Sequence, residues 1–299
     1  MDPVNSKPIL QGEYKLLKLL QKLPYSTYYL GTSLHNPTDR WAIKEISLSF
    51  EDPEERCRVF RHFEGIARKY TKINHPLLVP LEDCFYENDY EYIIFPFIPG
   101  HRLQEILELR KKPFTEYQVI DFTRQVASAL EHLHGHGIIF HDLNPSNIIV
   151  TPEGSIKLTD FGLGKMLARR EKNQPKWGTL GYAPPEQYGD APVLTQQNDI
   201  FALGVVIHQM LTFWDPSLAR GEYPPVSQFN SEVSRELEKI ILKATKSDPH
   251  QRYENIRKLQ EDLQAVINKE LKREKPRQEE ESWLQKLARE LARPFKKGK

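Results

Sequence analysis

The sequence predicts an α+β fold in two lobes, a small β-rich lobe followed by a larger helical one. Residues 14–98 alternate strand-like apolar runs with one helical stretch, whereas from Leu103 onward apolar residues recur at helical spacing. The 299 residues suffice for two ordinary domains or one large two-lobed one. A content of 39% hydrophobic and 28% charged residues is typical of a globular protein.

The first lobe is expected to open with a β-hairpin. The runs EYKLLKLLQ and STYYLGTSL favour two strands, and RWAIKEISL a third. YKLLKLLQKL also fits a helical period, but the aromatic run that follows and Pro24 favour strands. A helix is predicted from about Glu54 to Lys72, and then a strand, YEYIIFPFI, bounded by Pro99 and Gly100.

The second lobe is predicted to be helical. EYQVIDFTRQVASALEHLHGHG repeats apolar residues at helical spacing and stops on glycines. DIFALGVVIHQMLT is apolar nearly all round, which predicts a buried helix. Further helices are expected within 232–267. We therefore place the boundary between the lobes near residues 96–101.

Charge and cysteine content narrow the functional classes. The chain has 42 basic and 41 acidic residues, a net charge of +1, which gives little support to binding of nucleic acid. Cys57 and Cys84 lack the spacing of metal ligands and fit free thiols in a reducing compartment. We detect no signal peptide and no uninterrupted run of 18 apolar residues, so we expect a cytoplasmic protein without a membrane span.

Six short motifs follow one another along the chain: WAIK, FHDLNPSN, DFG, GTLGYAPPEQY, DIFALGVV and DPHQRY. Each is weak alone, but in this order and at these spacings they resemble a protein kinase of the bacterial eukaryotic-like Ser/Thr type. The resemblance covers about residues 12–267, with an N-lobe at about 12–96 and a C-lobe at about 101–267. It implies the two-lobed kinase fold and transfer of the γ-phosphate of Mg-ATP to Ser or Thr of a protein substrate.

Four polar residues are the candidates for this chemistry. Asp160 can ligate Mg²⁺, which prefers one or two carboxylates plus phosphate oxygens, and Asn147 offers an amide oxygen for a second metal contact. Asp142 is the candidate that orients the substrate hydroxyl by accepting its hydrogen bond. Lys44 lies in an apolar run, where an ammonium needs an anion, and the resemblance implies the ATP phosphates. The alternative for Lys44 is a strand edge from which its side chain reaches water.

The resemblance also implies where adenine binds. Phe95 would guard the back of the pocket, while the Pro96 carbonyl and the Ile98 amide would hydrogen-bond to the base; Pro96 needs no N–H for this. Apolar surface on both sides of the base is expected from Leu20, Tyr28, Ala42 and Ile149. These side chains can equally be core residues, and for Ala42 and Ile149 both interpretations hold together.

The glycine-rich phosphate loop of the family is missing. Gln21, Leu23 and Ser26 stand at the three glycine positions, and Pro24 removes one amide donor. Side chains at these positions are expected to hold the strand pair away from the nucleotide.

Other positions of the family pattern are also changed. The family spacing places Ile66 where a Glu should pair with Lys44, and Glu64 lies two positions earlier. Asn144 replaces the Lys that touches the transferred phosphate. Phe140 and His141 replace His and Arg, and His141 cannot act as a permanent bidentate cation.

The stretch LGKMLARREKNQPKWG, residues 163–178, contains no Ser, Thr or Tyr. The phosphorylation switch and the arginine that would receive it are therefore absent together. We hypothesise that activity does not depend on phosphorylation here. A phosphate mapped to this stretch, with activity that changes on phosphatase treatment, would contradict the hypothesis.

Two interpretations of the whole pattern remain open. Lys44, Asp142, Asn147 and Asp160 are all retained, which favours an enzyme that is weak or atypical. The alternative is a pseudokinase, a module that keeps the fold to bind or regulate protein partners. The resemblance also implies that Thr179 bonds Asp142. It further implies a structural ion pair, whose members are Glu186 and Arg252.

The C-terminal residues 268–299 are predicted to form a charged connector and a basic amphipathic helix. Residues 282–299 carry six basic residues and one acidic residue. One apolar face is expected from Trp283, Leu284, Leu287, Leu291 and Phe295. This helix either packs on the helical lobe with a solvated basic end or contacts a partner or an acidic membrane surface.

Overall fold

The structure, a computed structural model, describes residues 9–23, 26–47, 65–160, 178–188, 193–219, 222–271 and 283–292. Within these ranges the chain forms two compact units, a sheet unit ending at Ile98 and a helical unit beginning at Pro99. The two-lobed α+β prediction is confirmed. The exact domain limits of 12–267 stay a prediction.

The sheet unit is built on six antiparallel strands in the order β1-β2-β3-β4-β6-β5. Their bounds are β1 Ile9–Leu10, β2 Tyr14–Lys22, β3 Ser26–Ser33, β4 Trp41–Ser47, β5 Asp83–Glu87 and β6 Tyr90–Pro96. The predicted hairpin, third strand and last strand are confirmed, whereas β5 was not predicted. Residues 65–70 are helical (α1), and the earlier part of the predicted helix lies outside the described residues.

Strand β2 contains two irregularities that explain its ambiguous sequence. The register against β3 shifts between Leu16 and Lys18 and again between Leu19 and Gln21. Leu17 and Leu20 are therefore extra residues with no cross-strand partner, as in a β-bulge. Because each bulge inserts one residue, residues on one face recur at mixed spacings of two and three, which imitates a helical period.

One face of the sheet forms a buried aromatic core. Tyr14 stacks on Phe85, and Phe85 stacks on Tyr92, with ring centroids 5.9 and 5.4 Å apart. The buried carboxylate of Glu45 accepts hydrogen bonds from the Tyr92 hydroxyl at 2.7 Å and the Tyr29 hydroxyl at 3.4 Å. Burial and then the Glu45 charge raise the pKa of Tyr29 to about 12. Since side chains alternate along β4, Lys44 must face the opposite side from Glu45.

The helical unit contains a small sheet and six helices among the described residues. Strands β7 His101–Arg102, β8 Ile148–Val150 and β9 Ile156–Leu158 pair in that order. The helices are α2 Leu103–Leu109, α3 Glu116–Gly135, α4 Gln196–Thr212, α5 Arg235–Ala244, α6 Ile256–Leu271 and α7 Trp283–Ala292. Helix α4 is buried on almost every side, as its sequence predicted.

Three close contacts fix the helices of this unit. Thr115 closes a capping box with Gln118 at the start of α3. The carboxylate of Glu116 accepts hydrogen bonds from the backbone N–H and the hydroxyl of Ser234, which caps α5. Gly204 lets α4 approach α5, because a Cβ there would lie 2.8 Å from the Cβ of Ala244.

The C-terminal helix α7 packs on the helical unit. Leu284 and Leu287 are buried, and the Trp283 ring meets the Phe114 ring edge-on with centroids 5.7 Å apart. This supports the prediction of a helix packed on the helical lobe. The side chain of Leu291 and all of Phe295 lie outside the described residues. Among the helices that the structure describes, none is long and apolar enough to span a membrane.

Candidate functional site

Strand β4 presents Lys44 from the middle of the sheet. The residue lies opposite Tyr28 of β3 and Ile93 of β6, and it is buried. Its ammonium sits 5.3 Å from the centroid of the Tyr28 ring, within reach of a cation–π interaction. The strand-edge alternative for Lys44 is therefore wrong, because β4 is flanked on both sides.

The predicted adenine contacts of the sheet unit lie around Lys44. Ala42 is two residues before it, opposite Leu30 and Phe95, so these side chains share its face. Tyr28 is paired with Lys44 rather than with Ala42, and Leu30, which the sequence did not single out, takes the position opposite Ala42. Leu20 is the extra residue of the second bulge and is exposed.

The end of β6 presents the two predicted backbone groups on one edge. The Phe97 N–H donates to the Arg40 carbonyl at 2.8 Å, whereas on the other edge the Ile94 carbonyl accepts from the Glu82 N–H at 2.9 Å. Backbone groups alternate in direction along an extended chain. The Pro96 carbonyl and the Ile98 N–H therefore face the β5 edge, beyond the point where β5 begins.

In the helical unit the carboxylate of Asp142 is held from two sides. Its Oδ1 accepts a hydrogen bond from the Thr179 hydroxyl at 2.7 Å. Its Oδ2 accepts from the Asn147 amide at 3.2 Å, and the same amide donates to the Asp142 carbonyl at 2.9 Å. These hydrogen bonds at both oxygens fix the orientation of the carboxylate.

Asn144 joins the same network with its whole side chain. Its amide donates to the Asp142 carbonyl at 2.9 Å and to the Thr179 hydroxyl oxygen at 3.1 Å. Its Oδ1 accepts from the N–H of Ser146 at 2.9 Å and so caps the short 3₁₀ turn Pro145–Asn147. The sequence showed only that a cation is missing here. The structure shows that a buried neutral amide ties the loop to Thr179.

A second buried carboxylate braces the backbone just before Asp142. Asp199, in α4, accepts hydrogen bonds from the N–H groups of Phe140 at 2.8 Å and His141 at 2.9 Å. It also lies 2.8 Å from Nε2 of His134. His141 has a φ of +69°, a strained value for a residue with a side chain. The sequence analysis did not single out Asp199, although an aspartate near the start of a largely apolar helix was the available signal for this brace.

The β8–β9 hairpin connects the two predicted metal ligands. Asn147 precedes β8, Asp160 follows β9 by two residues, and the Thr159 N–H donates to the Asn147 carbonyl at 3.0 Å. Both ligand residues are buried. Because the Asn147 amide nitrogen is committed to Asp142, its oxygen is the group left for a cation.

This donor set fits Mg²⁺. It offers one carboxylate and one amide oxygen, and Mg²⁺ takes its remaining ligands from water and phosphate. Among the residues that the structure describes, no group of three or more His, Cys, Asp or Glu side chains forms an all-protein cage for another metal. Ile149, the predicted adenine contact of this unit, lies in β8 opposite Lys157 and is half-buried.

The predicted ion pair is present as scaffold. The guanidinium of Arg252 binds both carboxylate oxygens of Glu186, with nitrogen–oxygen distances of 2.5 and 2.9 Å. Of the other positions in the sequence argument, Pro24, Glu64 and residues 163–177 lie outside the described residues. Ile66, in α1, is half-buried.

Comparison with known proteins agrees with this geometry. The family model described as "Protein kinase domain" matches residues 25–278. Serine/threonine-protein kinase PrkC of Bacillus subtilis is 28% identical over 279 residues, which cover 89% of this chain and 42% of that protein. Mouse ribosomal protein S6 kinase alpha-2 is 31% identical over 236 residues, which cover 78% of this chain and 30% of that protein.

The solved kinase domain of Mycobacterium tuberculosis PknI has the same fold. It superposes with a TM-score of 0.70 at 19% identity, over 87% of this chain and 98% of that one. The chain spans less than half the length of the curated relatives it matches. Its matched residues nevertheless cover most of the sequence given, and the chain belongs to the protein kinase family.

Proposed function

We propose that this chain transfers the γ-phosphate of Mg-ATP to a Ser or Thr hydroxyl of a protein. The observation that carries the proposal is the buried Asp142 carboxylate, held at one oxygen by Thr179 and at the other by Asn147. In this position Asp142 accepts the hydrogen bond of the substrate hydroxyl and orients it toward phosphorus. Phosphoryl transfer needs this positioning more than covalent help.

We assign the nucleotide and metal contacts to the following residues. Asp160 and Asn147 would hold Mg²⁺, whose charge neutralises the phosphate oxygens. Lys44 would contact the phosphates, since a buried ammonium gains most from an anionic neighbour. The adenine contacts are assigned to Leu20, Tyr28, Ala42, Phe95, Pro96, Ile98 and Ile149.

The missing cation at Asn144 predicts slow transfer. The two amide hydrogens of Asn144 are already engaged by the Asp142 carbonyl and the Thr179 hydroxyl, and its oxygen by the Ser146 N–H. The side chain therefore cannot reach out to the transferred phosphate. A phosphate with fewer cations around it is a poorer electrophile. We accordingly propose a weak kinase whose activity does not require phosphorylation of residues 163–178, because the loop around Asp142 and Asn144 is already held by its own hydrogen bonds.

The bacterial relative PrkC is named as a serine/threonine-protein kinase, which supports a protein as substrate but identifies no particular one. A protein substrate is proposed, with no role for nucleic acid. Contact of residues 282–299 with a partner or an acidic membrane surface remains a proposal for the basic end, because Leu284 and Leu287 are already buried. Co-sedimentation with anionic vesicles, compared with a chain ending at Glu281, tests it. A cytoplasmic location stays a prediction.

The first experiment separates nucleotide binding from transfer. Calorimetric titration of ATP with and without Mg²⁺ is expected to show metal-dependent binding to the wild type and to Asp142→Asn but not to Asp160→Asn. Phosphate transfer from labelled ATP to a degenerate Ser/Thr peptide library should fall about 10²-fold or more in Asp142→Asn.

Two results would contradict the proposal. One is no binding at millimolar ATP, which means an affinity weaker than about −4 kcal/mol. The other is transfer that survives unchanged in Asp142→Asn. The first result would direct study of the chain to its protein partners, and the second would show that Asp142 is not the residue that orients the hydroxyl.

A further inference from the structure

Helix α7 contacts the hairpin that carries the predicted metal ligands. The matched kinase domain ends at residue 278, so α7, which begins at Trp283, lies beyond it. The helix is nevertheless packed against the turn between β8 and β9. Gly154, in that turn, has a φ of +79°, and a Cβ there would lie 2.8 Å from the backbone nitrogen of Gln285.

A second contact runs through side chains of α3. The Trp283 indole N–H donates to Oδ2 of Asp121 at 2.9 Å. The amide of Gln125, one turn further along α3, donates to the same oxygen at 3.4 Å. The side-chain oxygen of Gln125 accepts from the backbone N–H of Ile156 at 3.2 Å. A continuous hydrogen-bonded chain, which we call the indole relay, thus leads from α7 to the first residue of β9.

The far end of β9 leads directly to the metal ligands. Ile156 opens the strand, Leu158 closes it, and the Thr159 N–H donates to the Asn147 carbonyl. Asp160 is the next residue. Because β9 has three residues, Ile156 and Asp160 are four positions apart, and we expect a shift at Ile156 to reach Asp160. Residues that orient metal ligands indirectly still tune metal affinity.

We propose that Trp283 is a positioning residue for the Mg²⁺ ligands, acting through Asp121 and Gln125 on strand β9. The inference rests on the proposed function for its catalytic readout. It assigns to α7 a part in phosphoryl transfer, beyond simple packing at the end of the chain. The phenyl ring of Phe114 supports the indole edge-on and keeps the N–H aimed at Asp121.

The test compares three single variants of the 299-residue chain and the double variant Trp283→Phe/Gln125→Leu. Trp283→Phe keeps an aromatic ring and removes the N–H, and Gln125→Leu breaks the relay at its next link. Tyr117→Phe is the matched control, because it removes a polar group, the hydroxyl, from a ring that is 68% exposed on the same helix as Asp121. Hydrogen exchange of backbone amides and the Mg²⁺ dependence of phosphate transfer are measured on each.

We expect faster amide exchange confined to residues 154–160 in Trp283→Phe and Gln125→Leu, with no change in Tyr117→Phe. The Mg²⁺ concentration for half-maximal transfer should rise about threefold to tenfold. Changes that touch a ligand's own partner cost about 10–100-fold in metal affinity, and this one acts through further bonds. The double variant should be no worse than either single one, because both break one chain.

Exchange unchanged at 154–160, or raised evenly over the whole helical unit, would overturn the inference, as would an unchanged Mg²⁺ dependence. The exchange measurement needs no activity, so it remains decisive if the wild type transfers no phosphate. In that case the proposed function fails while the relay itself is still tested.

Discussion

Removal of the Arg252 side chain should destabilise the helical unit far more than removal of the Arg257 side chain, although both arginines form ion pairs. The Arg252 side chain is fully buried, and that of its partner Glu186 is 14% exposed. Its guanidinium also donates to the backbone carbonyls of Lys246, Gln197 and Ser247. Arg252→Ala would remove these hydrogen bonds from a nearly buried carboxylate and from three carbonyls.

The magnitude follows from these contacts. Breaking a buried pair from one side costs about 3–5 kcal/mol, because the remaining charge stays desolvated. Asn198 still donates to Glu186 at 2.9 Å, which places the loss in the free energy of unfolding nearer about 3–4 kcal/mol. For a unit of this size that lowers Tm by roughly 6–16 °C.

Arg257→Ala provides the matched control. Its pair with Glu131 has the same 2.9 Å contact distance as one arm of the buried pair, but the two side chains are 73% and 38% exposed. Exposed pairs contribute about 0–1 kcal/mol. Urea unfolding followed by circular dichroism measures both variants. If Arg252→Ala lost no more stability than Arg257→Ala, burial would not decide the strength of these ion pairs.

Three further predictions concern stability and transfer. Burial lowers the pKa of His208 below its usual 6.5, so the unfolded chain binds a proton first and the free energy of unfolding falls as pH drops below 6.5. Urea titrations between pH 5 and 8 should show that His208→Gln depends less steeply on pH than the wild type, and an equal pH dependence refutes this. Gly204→Ala should lower the free energy of unfolding by about 1–3 kcal/mol by crowding α5, whereas Gly135→Ala, where a Cβ meets open space, should be neutral or stabilising. Thermal unfolding measures both variants, and equal shifts in Tm would show that close packing of α4 on α5 is not the cause. Thr179→Val should lower kcat about 10–100-fold, because Asp142 loses a charge-assisted hydrogen bond; unchanged peptide phosphorylation would show that this bond is dispensable.

The sequence predicted those features that depend on residues close together in the chain. Helix α4 was predicted because its residues are apolar nearly all round. Asp142, Asn147 and Asp160 were chosen as candidates because their motifs keep fixed spacings, and their roles stay a prediction. Strand β5 was missed, since its five residues DCFYE are half polar. The one buried side chain of β5 is that of Phe85, which stacks on Tyr14 of β2 and Tyr92 of β6.

Features that depend on distant contacts were out of reach of the sequence. Trp283 and Asp121 are 162 residues apart, and no local pattern links an indole to that carboxylate. The pairing of Tyr28 with Lys44 depends on the register between β3 and β4, which no local pattern in either strand specifies. Asn144 was recognised as a missing cation. Its bonds to Thr179 required the folded chain.

The two bulges of β2 also bear on how this chain can change in length. Leu17 and Leu20 have no partner in β3, so excision of either residue would join two neighbouring ladder segments without altering any other pair. Excision of one residue before Lys44 in β4 would instead turn the ammonium to the aromatic face. Strand β2 can therefore lose a residue at either bulge and keep its other pairs, whereas the length of β4 is constrained by the face that each of its side chains must keep.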